Sequence, residues 1–159
     1  MKRDAQFKTG QKVDDFVLDQ LLGGGQDGEV WRATKLSIGK RCALKFLNSV
    51  SDADKLARFE NEIKILASID HPNIVLIHDR GRAWNPSTSE LVPYYAMEFV
   101  TGVPLLDALD AIPADDRVDA FCAILRQIFS ALHSTHSTGI SHGDIKSANV
   151  MVLPREQMA

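Results

Sequence analysis

Arg41-Cys42-Ala43-Leu44-Lys45-Phe46-Leu47 is the stretch from which the rest of the chain can be read. Its composition suits a β-strand, and because side chains alternate with period two, Ala43 and Lys45 point to one face. Lys45 stands between Leu44 and Phe46, an odd place for a solvated ammonium group, although a single lysine in a strand is usually just exposed. The next segment offers it a partner. Asp52 to Ile69 is helical by pattern, with Ser51 or Asp52 as N-cap. At about 100° per residue, Phe59, Ile63, Ile65, Leu66, Ala67 and Ile69 share one arc, and Glu60, Asn61, Lys64 and Ser68 fill the other. Glu62 falls in the middle of the apolar arc. A carboxylate aimed at a core needs a cation, since breaking such a buried pair costs roughly 3–5 kcal/mol. Lys45 is the candidate from a strand interior; the alternative is that Glu62 tilts out to solvent.

Before this strand, Phe16 to Leu22 reads as a strand, Gly23-Gly24-Gly25-Gln26-Asp27-Gly28 as a glycine turn, and Glu29 to Thr34 as a second strand. The tip of such a hairpin has few side chains. Backbone N–H groups there can approach an anion closely, and the same glycines also suit a flexible turn. A dinucleotide-binding turn would need the glycines to open a helix, but Val30 and Trp31, both good strand formers, follow them.

After the helix, His71-Pro72-Asn73 forms a stop, because proline disfavours helix at the residue before it. Ile74 to Ala83 is expected as a fourth strand, Trp84 to Glu90 as a hairpin loop, and Leu91 to Val100 as a fifth strand closing at Thr101-Gly102. The pattern then turns helical: a short helix over Leu105 to Asp110, and a long one over Ala114 to Ser137. In the long helix Phe121, Ile124, Leu125, Ile128, Phe129 and Leu132 recur at helical spacing, and Thr138-Gly139 ends it. The expected fold class is α+β. Residues 1–102 form a five-stranded antiparallel sheet with one helix inserted after the third strand, and residues 103–159 form a mainly helical part. The long helix delivers the chain to Ile140-Ser141-His142-Gly143-Asp144-Ile145-Lys146-Ser147-Ala148-Asn149-Val150-Met151-Val152. There an aspartate, a lysine and an asparagine sit close enough to serve a hydroxyl, a phosphate and a metal ion. The same residue types also make ordinary polar turns.

Composition narrows the function classes. The 159 residues are 45% hydrophobic and 25% charged, the balance of one soluble globular domain. With net charge -3 and no Lys/Arg block, nothing suggests nucleic acid as a partner. The polar opening argues against a signal peptide, and no apolar run approaches bilayer length. Cys42 and Cys122 show no metal-ligand spacing, so two buried, reduced thiols in a cytoplasmic protein are expected.

Taken in order, these segments resemble a eukaryotic-type (Hanks-type) Ser/Thr protein kinase. Gly23-x-Gly25-x-x-Gly28-x-Val30 is similar to the glycine-rich loop over ATP, and Cys42-Ala43-Leu44-Lys45 to the VAIK strand. Phe59-x-x-Glu62 followed by His71-Pro72-Asn73-Ile74-Val75 is similar to the C-helix and the turn after it. Met97-Glu98-Phe99-Val100 is similar to the gatekeeper and hinge, and His142 to Asn149 to the HRDLKxxN catalytic loop. The lysine two residues after the aspartate is the Ser/Thr pattern. The resemblance implies a kinase-like N-lobe with a C-helix, then the start of a helical C-lobe, acting on ATP, Mg²⁺ and a protein substrate with Ser or Thr. It also implies roles. Lys45, held by Glu62, grips the α- and β-phosphates, and backbone N–H groups over Gly23, Gly25 and Gly28, next to Leu22, cover them. Val30, Ala43 and Met151 sandwich the adenine beside Met97, and hinge backbone at Glu98 and Val100 bonds its edge. Asp144 accepts the proton of the substrate hydroxyl, Lys146 steadies the γ-phosphate, and Asn149 holds one Mg²⁺.

Three departures qualify this resemblance. No aspartate follows Asp144 before Ala159, so the DFG metal ligand and the activation loop lie outside the sequence. The chain is expected to carry nucleotide-binding elements without useful transfer by itself, and a pseudokinase-like binding module is the alternative reading. A small-molecule kinase of related fold is disfavoured by the HPN turn and Lys146. Gly143 replaces the HRD arginine, which disfavours control by a phosphorylated activation loop. Asp27 puts a carboxylate at the glycine-loop tip, weakening nucleotide binding by about 1 kcal/mol. The apolar face of the long helix lacks the later helices that family members pack on it, so self-association or a partner is expected there.

Overall fold

The computed structural model describes residues 5–25, 28–137, 139 and 145–154. The described residues fall into two compact units: those up to Ser68 with Leu76–Phe99, and Ile69–Val75 with those from Val100 onward.

The first unit is an antiparallel sheet with one helix. Its strands are β1 Lys12–Val13, β2 Phe16–Gly24, β3 Gly28–Lys35, β4 Lys40–Leu47, β5 Ile77–Asn85 and β6 Glu90–Glu98, in spatial order β1-β2-β3-β4-β6-β5. The five long strands are those expected. The sixth, β1, is a two-residue edge piece that folds back on β2 through Asp14, whose φ is 48°. Two residues are too few for an alternation signal. Helix α1 spans Ala53–Ala67 between β4 and β5. Asp52 is its N-cap, the side chain accepting from the backbone N–H of Asp54 at 3.1 Å and Lys55 at 3.0 Å.

Strand alternation divides the core between the two faces of the sheet. Cys42, Leu44 and Phe46 share one face with Phe16, Leu18, Trp31, Ala33, Val92, Tyr94 and Ala96. Phe7 covers this face, 1% exposed, with its ring 4.2 Å from that of Phe46. On the other face Leu47 and Tyr95 meet Phe59 and Ile63 of α1. The buried arc of α1 is narrower than its sequence pattern suggests. Only Phe59 and Ile63 are fully buried, and Ala67 is exposed.

Two strand ends differ from expectation for local reasons. β5 begins at Ile77, not Ile74, because His71 to Ile74 make a turn: the Ile74 N–H donates to the His71 carbonyl at 3.0 Å, and the Asn73 N–H to His71 Nδ1 at 3.1 Å. β5 and β6 extend to Asn85 and Glu90, leaving a loop of only Pro86 to Ser89. The Asn85 side chain accepts from the Ser87 N–H at 2.9 Å, and Ser89 adopts the left-handed φ of 55° that closes the turn. Two glycines of this unit are required by close approach. A Cβ on Gly28 would lie 2.1 Å from the Phe46 carbonyl oxygen, and one on Gly81 would lie 2.7 Å from Tyr94 Oη.

The second unit holds the short pair β7 Val103–Pro104 and β8 Met151–Val152, helices α2 Leu105–Asp110 and α3 Ala114–Ser137, and a single 3₁₀ turn over Ser147–Asn149. Leu105 and Ala108 are the buried positions of α2. Gly139, with φ 76°, lies just beyond α3, its N–H donating to the His136 carbonyl at 2.9 Å. The 69–75 segment is tied to α3 by Asn73 Nδ2, which donates to Gln127 Oε1 at 2.9 Å, and by a 3.1 Å hydrogen bond joining His71 Nε2 and Ser130 Oγ. Much of the apolar face of α3 is open, with Val118 69% and Phe129 62% exposed. Cys122 lies on this helix and is exposed, which corrects the expectation of two buried thiols; Cys42 alone is buried. No helix among the described residues is long and apolar enough to cross a membrane.

Candidate functional site

Sheet register lines up the candidate residues of the first unit. Gly23 pairs with Val30, Val30 with Lys45, and Lys45 with Tyr95, one row across four strands. Ala43 pairs with Met97 in a parallel row two residues along β4. Directly opposed residues in antiparallel strands point the same way, so Gly23, Val30, Ala43, Lys45, Tyr95 and Met97 share one face. It is the face that carries α1.

Lys45 and Glu62 meet on that face. Lys45 Nζ donates to Glu62 Oε1 at 2.7 Å and to Oε2 at 2.9 Å. The ammonium also lies 5.8 Å from the Tyr95 ring centroid and 6.0 Å from that of Phe59, within reach of a cation–π contribution. The expected buried pair is only partly buried, its side chains 26% and 39% exposed. Because α1 packs through Phe59 and Ile63, Glu62 lies at the rim of the contact, and partial solvation lowers the cost of keeping both charges. A lysine has three donors, and two are used on Glu62. The third has no protein partner among the described residues, so it can serve an anion.

A tyrosine that sequence reasoning missed completes the group. Tyr95 Oη donates to Glu62 Oε1 at 2.9 Å. Tyr95 is 2% exposed, and burial first, then the neighbouring Glu62 charge, pushes its phenol well above the usual range. Alternation from Met97 was the available signal, since two residues back along β6 must face the same way.

The glycine hairpin tightens at its tip: the Gly25 N–H donates to the Gly28 carbonyl at 3.0 Å. Among the described residues, a Cβ at Gly23 or Gly25 would meet nothing within 4 Å. Gly28 differs, being required by the β4 backbone. Leu22 is 46% exposed and falls at a register shift between Leu21 and Gly23, where β2 bulges. Asp27 lies outside the described residues. At the end of β6, the Glu98 N–H donates to the Leu76 carbonyl at 2.9 Å, so at this residue the carbonyl is the group that could serve a ligand. Val100 is half-buried and belongs to the second unit.

In the second unit Lys146 is extended (φ -147°, ψ 158°) and leads into the 3₁₀ turn, its carbonyl accepting from the Asn149 N–H at 2.9 Å. The Leu105 N–H donates to the Val150 carbonyl at 2.9 Å, and Met151 pairs with Pro104, which anchors the segment to the start of α2. Lys146, Asn149 and Met151 are all exposed. Asp144, with His142 and Gly143, lies outside the described residues. Among those described, no cluster of three or more His, Cys, Asp or Glu could hold a metal.

Comparison with known proteins then decides the family. The model of the protein kinase domain matches residues 16–158. The chain belongs to the protein kinase family. It is 35% identical over 143 residues to the serine/threonine-protein kinase pkn3 of Myxococcus xanthus, covering 88% of this chain and 25% of that protein. It is 32% identical over 145 residues to the serine/threonine-protein kinase PknA of Mycobacterium tuberculosis, covering 90% and 33%. Among solved structures, a double-mutant form of the Mycobacterium tuberculosis PknI kinase domain superposes with a TM-score of 0.77 at 27% identity, over 94% of this chain and 60% of that one. The kinase chain described here thus spans a quarter to a third of the length of these curated relatives.

Proposed function

We propose that this chain supplies ATP-gripping and catalytic-loop residues of a serine/threonine protein kinase, which transfers the γ-phosphoryl group of ATP to a protein Ser or Thr hydroxyl. One observation carries the reading: Lys45, clamped by both Glu62 oxygens, keeps a donor with no partner among the described residues, on the sheet face that also bears Gly23, Val30 and Ala43. A positioned cation suits phosphoryl transfer, which needs placement and charge neutralisation more than covalent chemistry.

In this reading Lys45 binds the α- and β-phosphates, and backbone N–H groups at Gly23 and Gly25 lie over them. Val30, Ala43, Met97 and Met151 hold the adenine, Glu98 and Val100 bond its edge through their backbone, and Leu22 flanks the loop. The Asn149 oxygen would hold one Mg²⁺, which would neutralise charge at the phosphates. Lys146 steadies the γ-phosphate. Asp144 orients the substrate hydroxyl and takes its proton as the new oxygen–phosphorus bond forms and the β–γ bridge breaks, releasing ADP. Residues 1–102 act as the N-lobe and hinge, and 103–159 as the beginning of the C-lobe. ATP dependence and two free cysteines go with a cytoplasmic, signalling setting. The exposed Val118 and Phe129 support self-association or a partner on α3, to be read by gel filtration.

The test is a calorimetric titration with MgATP, followed by transfer of labelled γ-phosphate to a generic protein acceptor. Binding by the parent chain that Lys45→Met removes is the expected result, and binding indifferent to Lys45 refutes the nucleotide reading. Transfer lost in Asp144→Asn identifies the enzyme, whereas binding without transfer is the outcome expected of this chain by itself and is shared with a nucleotide-binding module.

A further inference from the structure

The segment that precedes the family match is wired to the glycine hairpin. Residues 5–11 lie before the first matched position, 16, yet Phe7 is 1% exposed, packed on Phe46. Next to it, Gln6 is held from three sides. Its backbone N–H donates to Glu29 Oε1 at 2.7 Å, its Oε1 accepts from Asn85 Nδ2, and its Nε2 donates to Asn48 Oδ1. Asn48 uses its remaining amide end on the loop itself: Nδ2 donates to the Gly25 carbonyl at 2.7 Å. The supports of this chain are themselves fixed. Glu29 is 6% exposed and accepts from Trp31 Nε1 at 3.0 Å. Asn85 is 0% exposed, and its Nδ2 also reaches the Asn48 carbonyl at 3.3 Å.

We propose that Gln6 and Asn48 form a brace that holds the glycine hairpin at Gly25, making them positioning residues for the nucleotide. Gly25 needs such a support. It is exposed, a Cβ there would touch nothing, and glycine loses more freedom on ordering than any other residue. The turn bond to Gly28 uses the Gly25 N–H, and among the described residues it is the Asn48 amide that holds the Gly25 carbonyl. An Asn amide bonded at both ends cannot rotate without breaking one bond, so the orientation set by Gln6 is passed to Gly25. An ordered hairpin binds phosphates with less entropy left to lose. The brace rests on the nucleotide reading above only for its consequence, not for its geometry.

The test uses the 159-residue chain and two variants, Asn48→Ala and Gln6→Ala. Amide hydrogen exchange is read at Gly25 and, as a control on the fold, at Leu44 in central β4, alongside the MgATP dissociation constant. In both variants Gly25 is expected to exchange about fivefold faster or more, the factor of one net hydrogen bond, with Leu44 unchanged. The MgATP dissociation constant is expected to rise by about the same factor. Unchanged Gly25 exchange with intact nucleotide binding overturns the brace alone. Faster Gly25 exchange with an unchanged dissociation constant overturns its positioning role, and so does a loss of protection shared equally by Leu44 in both variants. A parent chain that binds no MgATP overturns the nucleotide reading and the positioning role together, while Gly25 exchange still reports on the brace.

Discussion

Replacing Tyr95 by phenylalanine deletes one hydroxyl and leaves nearly everything else in place. The ring keeps its packing against Phe59, 5.4 Å between centroids, and its place beside Lys45. What is lost is the 2.9 Å bond to Glu62 Oε1. A hydrogen bond to a charged acceptor contributes roughly 1.5–3 kcal/mol when buried. Glu62 is 39% exposed, so water can take the vacated position on the carboxylate. That solvation lowers the expected loss to about 1 kcal/mol. In a chain of this size a loss of about 1 kcal/mol lowers Tm by roughly 2–4 °C. The assay is a double-mutant cycle with Glu62→Gln, read by urea unfolding. If Tyr95 acts through Glu62, its substitution in the Glu62→Gln background should have a different effect, with a coupling of at least about 0.5 kcal/mol. Strict additivity, or a Tyr95→Phe variant as stable as the parent, would refute the three-residue arrangement.

Further outcomes follow from the same coordinates. Gly28→Ala places a methyl group 2.1 Å from the Phe46 carbonyl, against backbone that cannot give way, and should destabilise by about 1–3 kcal/mol, whereas Gly23→Ala meets open space; urea midpoints of the two variants make the comparison. Phe7→Ala empties a site in the aromatic cluster and should lower stability by about 3–5 kcal/mol, with an unchanged midpoint counting against any structural role for the leading segment. Alkaline pH should unfold the chain. Burial, chiefly, raises the Cys42 thiol from 9.0 to about 11 and lifts the Tyr94 and Tyr95 phenols above their usual 10.0. The fold therefore keeps protons that the unfolded chain releases, so this contribution is complete below about pH 9 and is lost as pH rises from there. Tyr95→Phe should make the decline of stability above pH 10 shallower, as followed by urea melts at stepped pH.

By itself the sequence indicated the five long strands and the helices α1, α2 and α3, and made Glu62 the candidate partner of Lys45, with a carboxylate tilted to solvent as the alternative. Period-two alternation placed Ala43 and Lys45 on one face of β4, and a carboxylate out of step with its helix pointed to Glu62. Ser51 or Asp52 marked the helix start, which the structure places at Asp52, and the helical spacing bounded α3 correctly. These features are legible because they depend on neighbours within a few residues. Tertiary structure decided the rest. How deeply the Lys45–Glu62 pair is buried depends on which side chains of α1 reach the sheet, and only Phe59 and Ile63 are fully buried. Tyr95 finds Glu62 across 33 residues, Gln6 finds Asn48 across 42, and Asn48 finds Gly25 across 23. The exposure of Cys122 depends on what packs on α3, a matter of neighbours and not of helical phase. Periodicity says which way a side chain points; what it meets there is set by register and packing, which no local pattern encodes.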